Sequence, residues 1–438
     1  MVRRKAVQTL TMRITHKFSR AVSIGLLSVT WLCASAQTTK SITLTEALAA
    51  ATQNIDTQIS KQLLSAARAD ITAANRAPLP LLSSSVSQID LQNGIGAGSW
   101  LTDKRIDKNI GLDWTWERGN KRTLRTETAT QAANAGAQDL SETLTQQKLL
   151  ASNAFFDLYA AQERITQVKA IAASAGLLAD AAAKRLAAGD LSAQDAARSQ
   201  IEAERAKNDL QLAEQERARA ELSLNLILDL GPQKLIANVP QATSSKAYGQ
   251  MLHEKLTTLS IEDRADVRAA VARTEAAKSA LNSALALRTN DITLGTAFDH
   301  WPGTSRRLLT FRMQMPLQLG ALGGYTFGGE IARAEAQLAI AEAALERVRH
   351  TAYNDGQRLV QDLQSSQTRA ANYSEGIAPQ ARRVAEQAEL AYNKGALSLT
   401  DLLEARRTWR ATTLEAIAAQ ADFEKSLSAW TIRTGAMK

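Results

Sequence analysis

Hydrophobic and polar residues alternate along two short stretches of the chain. In NIGLDWTWERG, residues 109–119, Leu112, Trp114 and Trp116 are separated by single small or polar residues. In LLTFRMQMPLQLG, residues 308–320, the same period of two runs from Leu309 to Leu317. Because a period of two places alternate side chains on opposite faces of a β-strand, both stretches are predicted to be strands with one apolar and one polar face.

Each predicted strand follows a weaker candidate, at residues 81–91 and 291–300. The pairs predict two hairpins, near residues 81–117 and 291–318. Their long polar connecting loops contain Trp100 and Trp301. These tryptophans, together with Trp114 and Trp116, fit the aromatic girdles that border a membrane-spanning sheet.

Most of the remaining chain is rich in helix-forming residues. Residues 121–188 and 329–394 contain much Ala, Glu, Gln, Lys, Arg and Leu and almost no Pro, and each predicts a helix about 100 Å long. Further helices are predicted before and after them, at residues 45–76, 192–228, 266–288 and 398–432. Gly376 and Pro379 predict a kink or local unwinding of the second long helix. Helical patterns of this length indicate coiled-coil-like packing.

The turns after the two long helices share the pattern G-x-L-S-x-x-D. The first contains Gly189, Leu191, Ser192 and Asp195, and the second contains Gly395, Leu397, Ser398 and Asp401. Glycine permits the backbone angles of a helix reversal, and the serine is a typical cap of the returning helix. The order helix, hairpin, long helix, turn, helix therefore occurs twice, which indicates a duplication with repeats at 37–231 and 263–438 and a linker at 232–262.

The first 36 residues have the features of a secretory signal peptide. They contain six basic residues and no acid, followed by an apolar run that ends in Ala34-Ser35-Ala36. Their removal leaves 46 basic against 44 acidic residues, so the net charge falls from +8 to +2. This near balance gives no support to a nucleic-acid partner.

The single cysteine, Cys33, lies inside the predicted signal peptide. The mature chain would therefore contain neither a disulfide nor a thiolate metal site. Lipidation at Cys33 is the competing interpretation, although Leu32 precedes it where a small residue is usual. The sequence predicts no cofactor and no metal site.

No stretch of the mature sequence is apolar over the length that a membrane helix needs, so a membrane crossing would have to be made by strands. Four strands are too few for a closed barrel, which needs about eight or more. Several copies of the chain would have to complete it, and three would supply about twelve strands. The predicted fold class is a mixed α and β membrane protein, in which a helical coiled-coil barrel continues a transmembrane β-barrel of four strands per protomer.

Several phrases of the sequence resemble the TolC family of outer-membrane efflux proteins. They are ITLTEALAAA, WERGNKRTLR, NAFFDLYAAQERI, GGEIARAEAQLAIAEAAL and both G-x-L-S-x-x-D turns. The chain is particularly similar to the CzcC-like branch that serves heavy-metal exporters of the resistance-nodulation-division type. The resemblance covers essentially the whole mature chain. It implies a homotrimer in the outer membrane of a Gram-negative bacterium, with a tunnel that meets a periplasmic adaptor and an inner-membrane pump.

The resemblance also implies roles for the residues around the turns. Acids at the positions of Asp401 and Glu404 would form rings in the tunnel that favour cations. Tyr392 and Asp195 match a tyrosine and an aspartate that link neighbouring hairpins and hold the tunnel closed. The turns themselves would be the tips that meet the adaptor. Leu397 stands where the best-known members have an arginine of a second link.

Alternative interpretations remain for each of these features. Asp195 has a purely structural explanation as an acid in the first turn of a helix, and Asp401 and Glu404 have one as a solvated helix face. The exported substrate is either a heavy-metal cation or a small organic molecule. A periplasmic coiled-coil scaffold is a different class, but it leaves the tryptophan-bearing strands without purpose. An enzyme is excluded because the histidines are scattered and HEKLT at 253–257 lacks the second histidine of a zinc protease.

Overall fold

The computed structural model describes residues 40–100, 103–239, 261–303, 305–316 and 325–434. The predicted signal peptide, Cys33, Leu317 and most of the predicted linker lie outside these ranges. The elements in chain order are β1 (Lys40–Thr43), α1 (Leu44–Ala51), α2 (Ile55–Ala74), β2 (Leu81–Ser87), β3 (Asp107–Trp116), α3 (Lys121–Ala187), α4 (Ala193–Ile227), β4 (Leu235–Asn238), α5 (Ala265–Ala286), β5 (Ile292–Trp301), β6 (Ser305–Gln314), α6 (Gly328–Ala371), α7 (Ala378–Asn393) and α8 (Leu399–Thr434).

The first long helix, α3 (Lys121–Ala187), lies where the sequence predicts a helix over residues 121–188. Helix α3 has 67 residues, which corresponds to a length of about 100 Å. It packs against α2, α4, α5 and α8, while α6 packs against α5 and α8. None of the helices in the described ranges is long and apolar enough to cross a membrane.

The second long helix is interrupted where Gly376 and Pro379 predict it. A π-helical segment, Asn372–Ile377, separates α6 from α7. Pro379 follows this segment in the first turn of α7, and proline is a typical cause of local irregularity in a helix. The segment is therefore a local widening of one continuous helical path.

The predicted helix at 45–76 is instead two helices, and Asn54 explains the break. Its side-chain oxygen accepts a hydrogen bond from the backbone N–H of Thr57 at 3.0 Å and so caps α2. Its amide nitrogen donates to Gln147 on α3 at 2.7 Å and to the carbonyl of Ile227 at 3.2 Å. The chain breaks here because a buried asparagine joins three helices.

The four predicted strands form one antiparallel sheet in the order β2-β3-β5-β6. The two hairpins therefore lie side by side, joined through β3 and β5. The first strand ends at Ser87 and is shorter than the predicted 81–91. The helices are attached at one end of the sheet, and the β2–β3 and β5–β6 loops lie at the other end.

The two faces of this sheet differ as the alternating pattern predicts. One face carries exposed apolar side chains in register across the strands, with Ile110 opposite Phe298 and Phe298 opposite Leu309. The other face is polar, and Asn109 Nδ2 donates to Asp299 Oδ1 at 2.5 Å there.

An ion pair on the polar face spans one strand. Arg312 on β6 contacts Asp113 on β3 at 2.6 Å, and Gly295 on β5 lies between them in the register. An added Cβ at Gly295 would collide with the Asp113 carboxylate. The glycine therefore leaves room for the ion pair.

A second sheet was not predicted from the sequence. Strands β1 and β4 pair in parallel over all four residues of β1. Ile42 lies opposite Ala237 in this pairing. This short sheet covers the largest buried cluster, whose centre includes Phe155, Leu158 and Leu224. Phe155 and Phe156 pack edge to face with ring centroids 5.4 Å apart.

Candidate functional site at the two helical turns

The turns after α3 and α7 have the same backbone geometry. Gly189 has a φ of 84° and Gly395 a φ of 75°. At the first turn, the N–H of Asp190 donates to the carbonyl of Arg185 at 2.8 Å, and at the second, the N–H of Ala396 donates to the carbonyl of Ala391 at 2.9 Å. These bonds are the Schellman ending of a helix, for which glycine is favoured because the left-handed region strains other residues.

The returning helices are capped in the same way by Ser192 and Ser398. Each hydroxyl accepts a hydrogen bond from the backbone N–H of the aspartate three residues later, Asp195 at 3.1 Å and Asp401 at 3.2 Å. Each hydroxyl also donates to that aspartate's carboxylate at 2.7 Å. Both aspartates therefore support a helix start, where a negative charge is also favoured by the helix dipole.

Two side-chain contacts join the turns within one chain. Arg185 Nη1 donates to the hydroxyl of Tyr392 at 3.0 Å, and its guanidinium lies 5.6 Å from the tyrosine ring centroid. Arg198 Nη1 donates to the hydroxyl of Thr400 at 2.9 Å. Within this single chain, Tyr392 contacts Arg185 rather than Asp195.

An apolar cluster lies beneath the turns. Leu399, Leu402 and Leu403 are buried with Ala388, and the half-buried Leu397 packs against them. Leu397 thus occupies the position of the missing arginine with an apolar contact. The other predicted tip residue, Leu191, is also half-buried.

The predicted ring acids lie on an exposed face of α8. Asp401 and Glu404 share this face with Thr408, because the three are spaced three and four residues apart. Glu404 is 71% exposed, and its ion pair with Arg407 is long, at 3.8 Å. A carboxylate in this position remains available to ions in the surrounding water.

Ion pairs that sequence reasoning missed join α4 to α8 above the turns. Arg407 donates to Glu202 at 2.8 Å, and Arg410 pairs with Asp209. Glu202, Arg407 and Arg410 border a cavity of about 130 Å³ between α3, α4, α7 and α8. The sequence held one signal for these ion pairs. Glu202 and Asp209 are seven residues apart, which places both on one face of α4.

The four predicted interface tryptophans lie on or beside the four-stranded sheet. Trp100, Trp114, Trp116 and Trp301 are all exposed by 40% or more. Trp301 lies at the loop end of the sheet and Trp116 at the helix end. Among the described residues, no three His, Cys, Asp or Glu side chains lie close enough together to hold a metal ion.

Comparison with known proteins gives matches in structure. No protein-family model and no curated protein sequence matches the chain. Solved structures match about nine tenths of the chain. A membrane protein from Pseudomonas aeruginosa has a TM-score of 0.73 at 17% identity, and the match covers 90% of this chain and 93% of that chain. The outer membrane protein VceC from Vibrio cholerae has a TM-score of 0.71 at 17% identity, with 90% and 96% covered. The MtrE outer membrane channel of Neisseria gonorrhoeae, in its open state, has a TM-score of 0.64 at 16% identity, with 90% and 88% covered.

The chain therefore has the fold of these membrane proteins. This confirms the TolC-like fold that the sequence resemblance implies. The solved channels that share this fold are not enzymes, in agreement with the lack of a catalytic motif in the sequence.

Proposed function

We propose that the chain is one protomer of a trimeric outer-membrane channel in a tripartite efflux system. Its strands lie in the outer membrane and its helices extend into the periplasm. The channel is a passive conduit that receives its substrate from a periplasmic adaptor and an inner-membrane pump of the resistance-nodulation-division type. The substrates we favour are heavy-metal cations, and the alternative is a drug or another small organic molecule.

The observation that carries this proposal is the one-sided apolar sheet joined to the long helices. Strands β3, β5 and β6 each have 10 residues, within the range of about 9–11 that a membrane-spanning strand needs. The eight residue steps from Lys108 to Trp116 cover about 27 Å along β3, close to the roughly 25 Å apolar band of an outer-membrane barrel. The exposed apolar face would therefore contact lipid.

Open strand edges support the trimer. Strands β2 and β6 each pair on one side only within the described chain. Unpaired backbone N–H and C=O groups are costly in lipid, so these edges need partners from other copies. Three copies would give about twelve strands, enough to close a barrel around water.

The proposed closed state links neighbouring copies through Tyr392 and Asp195. The Tyr392 hydroxyl accepts from Arg185 and keeps its own proton for donation to a carboxylate of a neighbouring copy. A hydrogen bond to a charged group contributes about 1.5–3 kcal/mol, which contacts with a docking adaptor could outweigh. The apolar cluster beneath Leu397 would replace the arginine link that is missing here.

Reconstitution of the purified full chain in planar bilayers tests the channel. We expect the protein in the outer-membrane fraction, a trimer by mass photometry, and discrete conductance steps. A monomer in the soluble periplasmic fraction without conductance would instead support the coiled-coil scaffold.

A cation ring is tested by the double substitution Asp401→Asn and Glu404→Gln. We expect the concentration of a multivalent cation that halves the current to rise on the order of tenfold, equivalent to about 1.4 kcal/mol of lost attraction. Glu204→Gln is the matched control, because Glu204 is an exposed acid that pairs with Lys207 on α4. Equal block in all three proteins would remove the acids from the pore.

The substrate class is tested with the pumps themselves. We expect the channel to restore metal resistance when paired with a metal-type pump and adaptor in cells that lack their own outer-membrane component. Restoration of drug resistance alone would favour the organic alternative.

A further inference from the structure

Lys108 and His300 form the last cross-strand pair between β3 and β5 at the loop end of the four-stranded sheet. They lie directly opposite each other on β3 and β5. Because side chains alternate along a strand, both share the apolar face with Ile110 and Phe298, which lie two residues further along their strands. Two basic side chains therefore stand at the border of a surface that is otherwise apolar.

Both side chains hold a nitrogen atom without a hydrogen-bond partner. Lys108 Nζ and His300 Nε2 are shielded from solvent, and no described residue hydrogen-bonds to either. Lys108 Nζ lies 5.6 Å from the centre of the Trp100 ring, which covers one side of the ammonium group. An ammonium group has three donors, so this leaves a buried charge without an anion.

The histidine ring makes one contact with the backbone, which leaves its second nitrogen unpaired among the described residues. His300 Nδ1 lies 2.8 Å from the carbonyl oxygen of Arg306. Because a carbonyl only accepts, Nδ1 carries a hydrogen. Nε2 is then free to donate to an anion when protonated, or to accept from a hydroxyl when neutral.

Lys108 and His300 line a groove of about 530 Å³. Arg306 and Arg307 add two further cations to its wall, and none of its described lining residues is acidic. No ion pair within the described chain neutralises Lys108 or either arginine. Its apolar wall is formed by Val86, Ile110 and Phe298.

We propose that this groove binds the phosphate group of an anionic glycolipid in the outer leaflet of the membrane. Several basic donors in the wall of one groove suit a phosphate, which offers three strong acceptor oxygens and up to two negative charges. The apolar wall continues into the face that meets lipid, so acyl chains attached to the phosphate would lie against Ile110 and Phe298. This inference rests on the proposed function, because it needs the loop end of the sheet at the outer membrane surface.

Native mass spectrometry of the full-length detergent-purified protein tests this site. The probes are a diphosphorylated diglucosamine lipid, the same lipid without its phosphates, and inorganic phosphate. We expect the phosphorylated lipid to bind at least tenfold more tightly than either of the others. The double substitution Lys108→Gln and His300→Gln should abolish that preference, whereas Arg105→Gln, an exposed arginine of the same loop region outside the groove wall, should keep it.

Each result bears on one part of the inference. Unchanged lipid binding by the double variant would refute the site, and displacement of the lipid by an equal concentration of inorganic phosphate would refute its lipid specificity. If the double variant does not fold, Arg307→Gln on the exposed rim should weaken binding about threefold, because one charged contact is lost. Single-channel current from the same preparations separates the two proposals: selective lipid binding without current would refute the channel and leave the phosphate site in place.

Discussion

Arg264 holds the start of α5 against α6 through a buried group of charges. Its side chain is 7% exposed, and it donates to both carboxylate oxygens of Asp266 at 2.8 and 3.1 Å. Nη1 donates to Asp355 at 3.1 Å and to the carbonyl of Ala352 at 3.3 Å. We expect Arg264→Met to destabilise the protein strongly, because methionine keeps much of the length and removes every donor.

The expected magnitude follows from the exposure of the carboxylates. Removal of one partner from a buried ion pair typically costs about 3–5 kcal/mol. Asp266 is 24% and Asp355 is 19% exposed, so water can partly replace the lost partner and we expect the lower end, about 3 kcal/mol. Arg358→Met is the matched control: Arg358 contacts the same Asp355 at 2.6 Å but is 69% exposed, and its loss should cost less than about 1 kcal/mol.

The pH dependence gives a second readout on the same variants. Burial favours the neutral carboxyl of Asp266, but the hydrogen bond and charge of Arg264 outweigh it and lower the pKa. An acid with a lowered folded-state pKa stabilises the fold above its unfolded pKa of about 3.9 and loses this contribution as pH falls further. The difference between wild type and Arg264→Met should therefore be complete at neutral pH and shrink below about pH 4. Urea unfolding in detergent, followed by the helical circular dichroism signal, measures the free energy of unfolding and its pH dependence. Equal losses of this free energy in Arg264→Met and Arg358→Met would refute this reasoning.

Two further predictions concern the helices alone. Burial raises the pKa of Glu424, so its charged form destabilises the fold, and Glu424→Gln should raise stability at neutral pH. In the same unfolding assay the gain should vanish below about pH 4.3, because the acid is then neutral in the folded and in the unfolded state. A loss of stability at neutral pH would contradict this prediction. Gly395→Ala should cost about 1–2 kcal/mol, because φ is 75° there, although nothing lies within 4 Å of an added Cβ. The control is Gly376→Ala in the π-helical segment, which has equal space and no positive φ and should not destabilise the protein. Similar melting temperatures for the two variants would count against backbone strain at the turn.

The regular part of the fold could be predicted because its determinants are local. The glycine of each turn and the serine that follows it define the ends of four helices to within a few residues. The alternation of apolar and polar residues with a period of two is also a local signal. It located the strands of the four-stranded sheet. Pro379 and Gly376 are local signals as well, and the π-helical segment lies where they occur.

The remaining features depend on residues far apart in the chain. Strands β1 and β4 have four residues each and pair across almost two hundred positions, so neither has a pattern of its own. The break before α2 depends on contacts of Asn54 with Gln147 and Ile227. The ion pair of Arg407 with Glu202 likewise needs the packing of α4 on α8, which no single helix encodes. Sequence patterns predict such elements only once the packing partners are known.

The two turns share one backbone geometry but differ in chemistry. Arg198 stands three residues after Asp195, whereas Glu404 stands three residues after Asp401. Arg198 is held by the hydroxyl of Thr400, so its charge serves the contact between the turns. Among the described residues, Glu404 has only the long contact with Arg407, and its side chain is 71% exposed.

In the proposed trimer, this difference separates the roles of the two acids on α8. The Asp401 carboxylate is occupied by Ser398, whereas the Glu404 carboxylate is available to a passing cation. We therefore expect Glu404→Gln alone to weaken cation block nearly as much as the double variant. Asp401→Asn should mainly lower the free energy of unfolding, by about 0.5–1 kcal/mol, because the negative charge at the helix start is lost. The opposite division, with block lost in Asp401→Asn and kept in Glu404→Gln, would mean that Asp401 leaves its cap to face the pore in the open channel.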